Sequence, residues 1–266
     1  MLRDITLGQY YPADSVIHAL DPRVKITGTF LYIISLFLVR DIYGYAVALA
    51  FLAAMIMISK VPPSYMVRGL RGILVILLFT AAFNVFFTPG EVLWSFGKIH
   101  ATREGIRIAV RMVIRLIFLV MGTSIMTLTT TPNQLTDGLE KVLKPLSHIG
   151  VPVHEVAMMM SIALSFIPIL IEELDKIMKA QSARGADFES KKLSVRLKSM
   201  IPILVPLFVS AFRRAGDLAG AMEARCYHGG EGRTRMKPLR YGRNDYLAYL
   251  ILLLYLAGVI AVGIIF

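Results

Sequence analysis

From Tyr246 to Phe266 the chain runs without a single charged residue. About 20 consecutive apolar residues are the length of a bilayer-spanning helix, and helix is the form open to them because hydrocarbon offers the backbone no hydrogen-bond partner. Earlier runs repeat the pattern at Val24 to Val39, Ile42 to Ser59, Gly72 to Thr88 and about Gly105 to Thr130. With 56% apolar and 18% charged residues and a mean hydropathy of +0.65, the chain reads as an all-α, polytopic membrane protein with about five transmembrane helices. In such a chain a net charge of +11 marks cytoplasmic loops and headgroup contacts, so nucleic acid is not an expected partner and the lipid bilayer is. The one cysteine, Cys226, excludes an internal disulfide and a cysteine-rich metal site, and reads most simply as a small helix residue. Met1 to Asp21 is polar and the first apolar run lacks a small-x-small cleavage site, so that run is expected to remain in the mature protein.

Lys60, Arg68 and Arg71 lie between the second and third spans, whereas the first turn holds only Arg40. That asymmetry places the amino terminus inside, in the cytoplasm, and five spans then put the carboxyl terminus outside. Asp21 and Pro22 suit the cap and first turn of the first helix, where Arg23 and Lys25 can snorkel. Trp94 and Phe96 suit an interface belt on the outer connection. Arg107, Arg111 and Arg115 share one face of the fourth span. They read either as a functional ladder, such as an anion path or voltage sensor, or as a turn whose arginines snorkel or face other protein.

Beyond Thr130 the texture changes. Gln134 to Leu146 reads as an amphipathic surface helix, and two further apolar runs follow, Val151 to Ile171 and Met200 to Phe212. If both crossed the bilayer, Lys176, Lys179, Arg184, Lys191, Lys192, Arg196 and Lys198 would face outside. His154, Glu155, Pro168, Pro202 and Pro206 also interrupt them, so they read as helices at or just under the inner surface. Three regions result: a membrane domain at 1–130, a cytoplasmic or interfacial domain at 131–243 with two long helices, and a last transmembrane helix at 244–266. The middle region carries more than half of the 29 Lys and Arg, ending in a basic linker from Gly232 to Arg243. Within it Phe208, Ala211, Phe212, Ala215, Leu218, Ala219 and Met222 form a helical stripe, and His228-Gly229-Gly230 stops that helix.

A short pattern occurs twice here. Ala180-Gln181-Ser182-Ala183-Arg184-Gly185 and Ala221-Met222-Glu223-Ala224-Arg225-Cys226 each read Ala-x-x-Ala-Arg and then a small residue. Small neighbours permit close backbone approach, and the arginine fork suits carboxylates or helix-end carbonyls, which is how a plug for a groove is built. The pattern also has a plainer account, since Ala and Arg are good helix formers and Gly commonly ends a helix.

Other chemistries lack their residues. There is no Gly-rich loop ending in Gly-Lys-Ser or Gly-Lys-Thr, and His154-Glu155 is followed by Met158 where a zinc-protease helix needs a second His. A membrane enzyme acting on lipids would want paired acids; Glu172-Glu173 with Asp175 is the nearest candidate, but adjacent acids point to different sides of a helix. A stand-alone secondary transporter would want broken midmembrane helices in two matching halves, which the spans do not show.

Nearly end to end, the chain resembles the transmembrane T component of energy-coupling factor (ECF) transporters. The resemblance rests on Gly8-Gln9-Tyr10 with Pro12 and Ser15, on Leu20-Asp21-Pro22-Arg23-Val24-Lys25, on Leu128 to Pro132 with Leu135 to Glu140, and on the two arginine motifs. It implies a non-catalytic scaffold of an importer for vitamins or other micronutrients. The coupling motifs would be Ala183-Arg184-Gly185 and Ala224-Arg225-Cys226, each docking in a groove on one of two ATP-binding-cassette subunits. A membrane-embedded substrate-binding component would sit on the apolar faces, with Met158, Met159 and Met160 as candidate contacts or ordinary filler. The chain itself would bind no cofactor; ATP and Mg would reside on the partner subunits.

Overall fold

A computed structural model describes residues 10–39, 41–96, 99–186, 193–229 and 238–265, with the backbone alone for 92–101 and 193–198. Gly8, Gln9, Arg40, Lys191, Lys192 and most of the basic linker lie outside the described residues, as do the side chains of Trp94, Phe96, Arg196 and Lys198. The chain forms two compact units, one of Gly8–Val142 with Leu239–Phe266 and one containing Leu143–Pro238.

The first unit is helical apart from one hairpin. A short α1 (Val16–Ala19) precedes α2 (Pro22–Leu38), α3 (Ile42–Ser59) and α4 (Pro63–Phe87). The antiparallel strands β1 (Val92–Phe96) and β2 (Ile99–Thr102) lead into α5 (Arg103–Thr129) and α6 (Pro132–Leu143), and α9 (Arg243–Ile265) completes the unit. Asp21 caps α2 as its sequence suggests: Oδ1 accepts from the Arg23 N–H at 2.9 Å. A capping box starts α6, with Thr131 Oγ1 accepting from the Gln134 N–H at 3.4 Å and Gln134 Oε1 accepting from the Thr131 N–H at 3.2 Å.

One expectation needs correction. The third span begins at Pro63, not Gly72, because Pro63 supplies a first-turn residue with φ already set, and Arg68 and Arg71 ride on the helix. The connection that carries Trp94 and Phe96 is an antiparallel β-hairpin. The 17 residues of α2 reach only about 25 Å, short of a hydrocarbon core of about 30 Å.

The core lies where α2 packs on α5 and α9 and α3 crosses the same two helices. Leu36 and Met66 are fully buried, and Tyr32, Phe51 and Tyr255 form an aromatic cluster in which Phe51 and Tyr255 stack at 4.2 Å between ring centroids. Each tyrosine hydroxyl there has a partner: Tyr32 donates to the Phe118 carbonyl at 3.3 Å, and the Tyr255 hydroxyl lies 2.7 Å from Ser35 Oγ. A side chain at Gly122 would run into the Tyr32 ring, so glycine sets the approach of α5 to α2. Gly138 does the same for α6, where a Cβ would stand 2.8 Å from that of Pro22.

Buried polar groups tie the ends of these helices together. Arg23 grips Asp21 through Nε to Oδ1 at 3.0 Å and Nη2 to Oδ2 at 2.8 Å, and its guanidinium lies 3.8 Å over the Tyr241 ring. Asp245 accepts from the Asp21 N–H at 2.8 Å and from the Gly242 N–H at 2.7 Å. Lys25 Nζ donates to the Thr129 carbonyl at 2.9 Å and the His18 carbonyl at 3.1 Å, so the amino end of α2 closes the carboxyl end of α5. At the other end of α2, Arg115 Nη2 donates to the Val39 carbonyl at 3.2 Å. Of the arginine ladder, Arg115 thus faces other protein, whereas Arg107 and Arg111 are exposed.

The second unit opens with a 3-10 turn at Lys144–Ile149, closed by Gly150 at φ +86°, and continues as α7 (Val153–Ala183) and α8 (Leu193–Ala224). Each absorbs one of the interrupted apolar runs into a single long helix with its prolines inside. Among the described residues, six helices are long and apolar enough to cross a bilayer: α3, α4, α5, α7, α8 from Ser199, and α9.

Candidate functional site

α7 and α8 cross antiparallel, because Arg214 Nη2 donates to Glu173 Oε2 at 3.2 Å while Gln181, further along α7, donates to the Pro202 carbonyl, earlier on α8, at 3.3 Å. The ion pair fixes the tips on either side of it. Arg184 follows Glu173 and Arg225 follows Arg214 by the same eleven residues, so each tip lies about 16 Å along its helix from the pair, in opposite directions. Glu173 therefore serves as a strut between helices. Glu172 beside it is exposed, so the candidate acid pair diverges.

The two tips are built alike at the level of individual hydrogen bonds. At the end of α7 the Gly185 N–H donates to the Ser182 carbonyl at 3.0 Å and the Ala186 N–H to the Gln181 carbonyl at 3.0 Å. At the end of α8 the Cys226 N–H donates to the Glu223 carbonyl at 2.9 Å and the Tyr227 N–H to the Met222 carbonyl at 3.1 Å. Both are Schellman closures, with the arginine as C-cap and the following residue left-handed, Gly185 at φ +88° and Cys226 at φ +55°. Cys226 is thus no ordinary helix residue; it ends α8 three residues before Gly229, because the closure is already complete there. What the sequence echo leaves hidden is this shared backbone geometry, for which the small residue after each arginine is the only signal.

Ala183, Arg184, Gly185, Ala224, Arg225 and Cys226 are all exposed. The closures bind the preceding carbonyls to backbone donors, so neither guanidinium is required to satisfy its own helix end. Each arginine is a fork of donors on a fixed stub, held beside the negative end of a helix dipole.

The helices behind the tips have little core of their own. Among the described side chains, Val153 and Ala157 are the buried residues of α7 and Ile203 the buried apolar residue of α8. Phe208 and Phe212 on the expected stripe stand 60% and 74% exposed, and Met200, Ile201, Leu204, Val205 and Val209 are exposed with them. Near the start of α7, Met158 is half-buried and Met159 and Met160 are exposed. A contiguous apolar surface of this kind belongs against another protein or against lipid.

The profile of the family described as cobalt transport protein, CbiQ, matches residues 13–236. An energy-coupling factor transporter transmembrane protein EcfT of Clostridium kluyveri is 54% identical over 254 residues, covering 94% of this chain and 93% of its own. The protein of the same description from Ruminiclostridium cellulolyticum is 51% identical over 266 residues and all of both chains, and that of Thermosediminibacter oceani is 52% identical over 262 residues, 98% and 97% of the two. With the repeated arginine tips on paired long helices and identity at this level along the whole chain, this multi-pass membrane protein belongs to the family of transmembrane T components of energy-coupling factor transporters.

Proposed function

We propose that the chain is the non-catalytic scaffold through which two ATP-binding-cassette subunits drive a membrane-embedded substrate-binding component in the uptake of a vitamin or other micronutrient. The observation that carries this reading is the matched pair of tips, equally distant from the Glu173–Arg214 strut and closed by the same backbone bonds. Two equivalent plugs suit two equivalent grooves. Arg184 and Arg225 anchor one ATPase subunit each, and closure of the ATPase pair about bound ATP and Mg changes the crossing of α7 and α8.

The exposed apolar faces of α7 and α8, with Met158, Met159 and Met160, hold the substrate-binding component, since thioether chains repack readily against different partners. Residues 131–243 form the coupling domain on the cytoplasmic side, and α7 and α8 lie at the inner surface of the bacterial cell membrane. The seven Lys and Arg between positions 171 and 199 support that placement.

The test is paired charge reversal. Truncating one buried, hydrogen-bonded charge at an interface costs about 2 to 5 kcal/mol, so Arg184→Glu with Arg225→Glu is expected to abolish co-purification of the ATPase subunits and uptake while leaving the chain in the membrane. Retention of both activities would refute the anchoring role.

A further inference from the structure

Apart from the paired tips, the first unit holds a cavity of about 260 Å³ among α1, α2, α3, α5 and α9. Its floor is carbon, from buried Tyr32, Leu52, Ile125 and Leu252. Its rim includes Val16, Ile58, Leu247 and Ile251, all exposed on the surface of a unit whose helices are built to cross a bilayer, so the opening faces hydrocarbon. An apolar hollow that opens sideways into lipid is filled by lipid.

One end of the hollow differs from the rest. Lys25, 7% exposed, lines it beside Thr129 and Asn244, where α2 and α9 begin and α5 ends. Two turns further along α2 the wall is formed by Tyr32, about 10 Å away, roughly two thirds of one leaflet's hydrocarbon depth. The ammonium has three protons; two go to the neutral carbonyls of His18 and Thr129. The nearby carboxylates are bonded elsewhere, Asp21 to Arg23 and Asp245 to the backbone N–H groups of Asp21 and Gly242. Among the described residues no carboxylate hydrogen-bonds to Lys25. The site is therefore polar and cationic at one end, apolar for the next two turns, and narrow enough for a single chain.

We propose that this cavity is a binding site for an anionic phospholipid from the leaflet bordering the amino-terminal end of α2, with one acyl chain along Tyr32 and Leu52 and a headgroup oxygen on the third proton of Lys25. The lining comes from the first unit alone and the tips belong to the second, so the proposal does not depend on what Arg184 and Arg225 contact.

The full chain is reconstituted in phosphatidylcholine nanodiscs containing a trace of phosphatidylglycerol with a photoactivatable group on one acyl chain, and the adducts are mapped by peptide mass spectrometry. Adducts are expected within 22–38 and 243–265, and replacing host phosphatidylcholine with unlabelled phosphatidylglycerol should suppress them about fivefold more strongly than equal competition by the two lipids would allow, the preference one lysine near a headgroup confers. Lys25→Met removes the preference but also breaks two internal bonds, so Gly28→Leu carries the decision. Gly28 lines the cavity, and a Cβ built there meets nothing closer than Leu252 Cδ2 at 4.0 Å, so the new side chain enters the hollow without displacing the backbone. Gly28→Leu is expected to abolish the phosphatidylglycerol-competed part of the labelling at these two segments, because the new side chain occupies the hollow. Labelling unchanged by Gly28→Leu, competition equal for the two lipids, or displacement of the probe by a co-reconstituted partner protein would each overturn the proposal.

Discussion

Replacing Cys226 with glycine tests whether the two tips are the same device. Cys226 holds φ +55°, a conformation that costs an L-residue about 1 to 2 kcal/mol, whereas Gly185 holds the equivalent position at no such cost. Glycine also adds about 0.4 to 1 kcal/mol of backbone freedom to the unfolded chain, which offsets part of the gain. The Cys226 side chain is exposed, so its removal forfeits no packing. The net expectation for Cys226→Gly is stabilisation of the closure by about 1 kcal/mol, roughly fivefold in its opening equilibrium. Gly185→Ala at the other tip is expected to do the reverse by a similar factor. The assay is amide hydrogen exchange of the full chain in detergent, read at the donors of the closures: Cys226 and Tyr227 at one tip, Gly185 and Ala186 at the other. Slower exchange in the first variant and faster exchange in the second are the expected results. Unchanged or slower exchange at Ala186 in Gly185→Ala would refute the left-handed closure as what fixes the arginine stubs.

Three further expectations concern topology and the membrane unit. Cys226 is the one cysteine and is exposed, so a membrane-impermeant maleimide should label the unmodified protein only after cells are opened; labelling of intact cells would place the α8 tip outside. Burial pushes the Asp21 carboxyl up, but its bonds to Arg23 and the charges of Arg23 and Lys25 outweigh that and hold it below its ordinary 3.8. Its contribution is therefore complete above that ordinary value and is lost as pH falls through the folded-state value. Thermal melts of wild type should weaken in acid more steeply than those of Asp21→Asn, which at neutral pH should already be about 3 kcal/mol less stable because Arg23 loses its buried partner. Gly122→Leu should cost about 1 to 3 kcal/mol by driving α5 off the Tyr32 ring, seen as a lower melting temperature, while Gly72→Leu, with open space at its Cβ, should not.

Where local chemistry decided the outcome, the sequence could be read. α3 runs from Ile42 to Ser59 as expected, because Asp41 and Lys60 bound an uninterrupted apolar run. The start of α4 was hidden by Arg68 and Arg71, which look like loop residues by charge but sit comfortably on a helix with Pro63 in its first turn. The hairpin at Val92–Thr102 depends on a pairing between two short segments that neither announces alone. At the candidate site the echo of Ala-x-x-Ala-Arg named both arginines. Their equal spacing from Glu173 and Arg214 became visible only when α7 and α8 were crossed, since a contact between positions 173 and 214 leaves no local trace. The exposure of Phe208 and Phe212 was equally illegible, because an amphipathic stripe says that a face wants cover and not which chain supplies it.

The bond from the Asp21 N–H to Asp245 joins residues separated by nearly the whole chain, and the Ser35–Tyr255 pair does the same deeper in the unit. The slot on α2 and α3 that receives α9 is thus made well before its occupant, which follows only after all of Leu143–Pro238. At about 5 to 20 residues per second, synthesis of the stretch between the end of α3 and the start of α9 leaves the slot vacant for roughly 10 to 40 s. A ribosome that stalls before Tyr255 releases a protein with a buried serine and an aromatic seat unfilled in the bilayer.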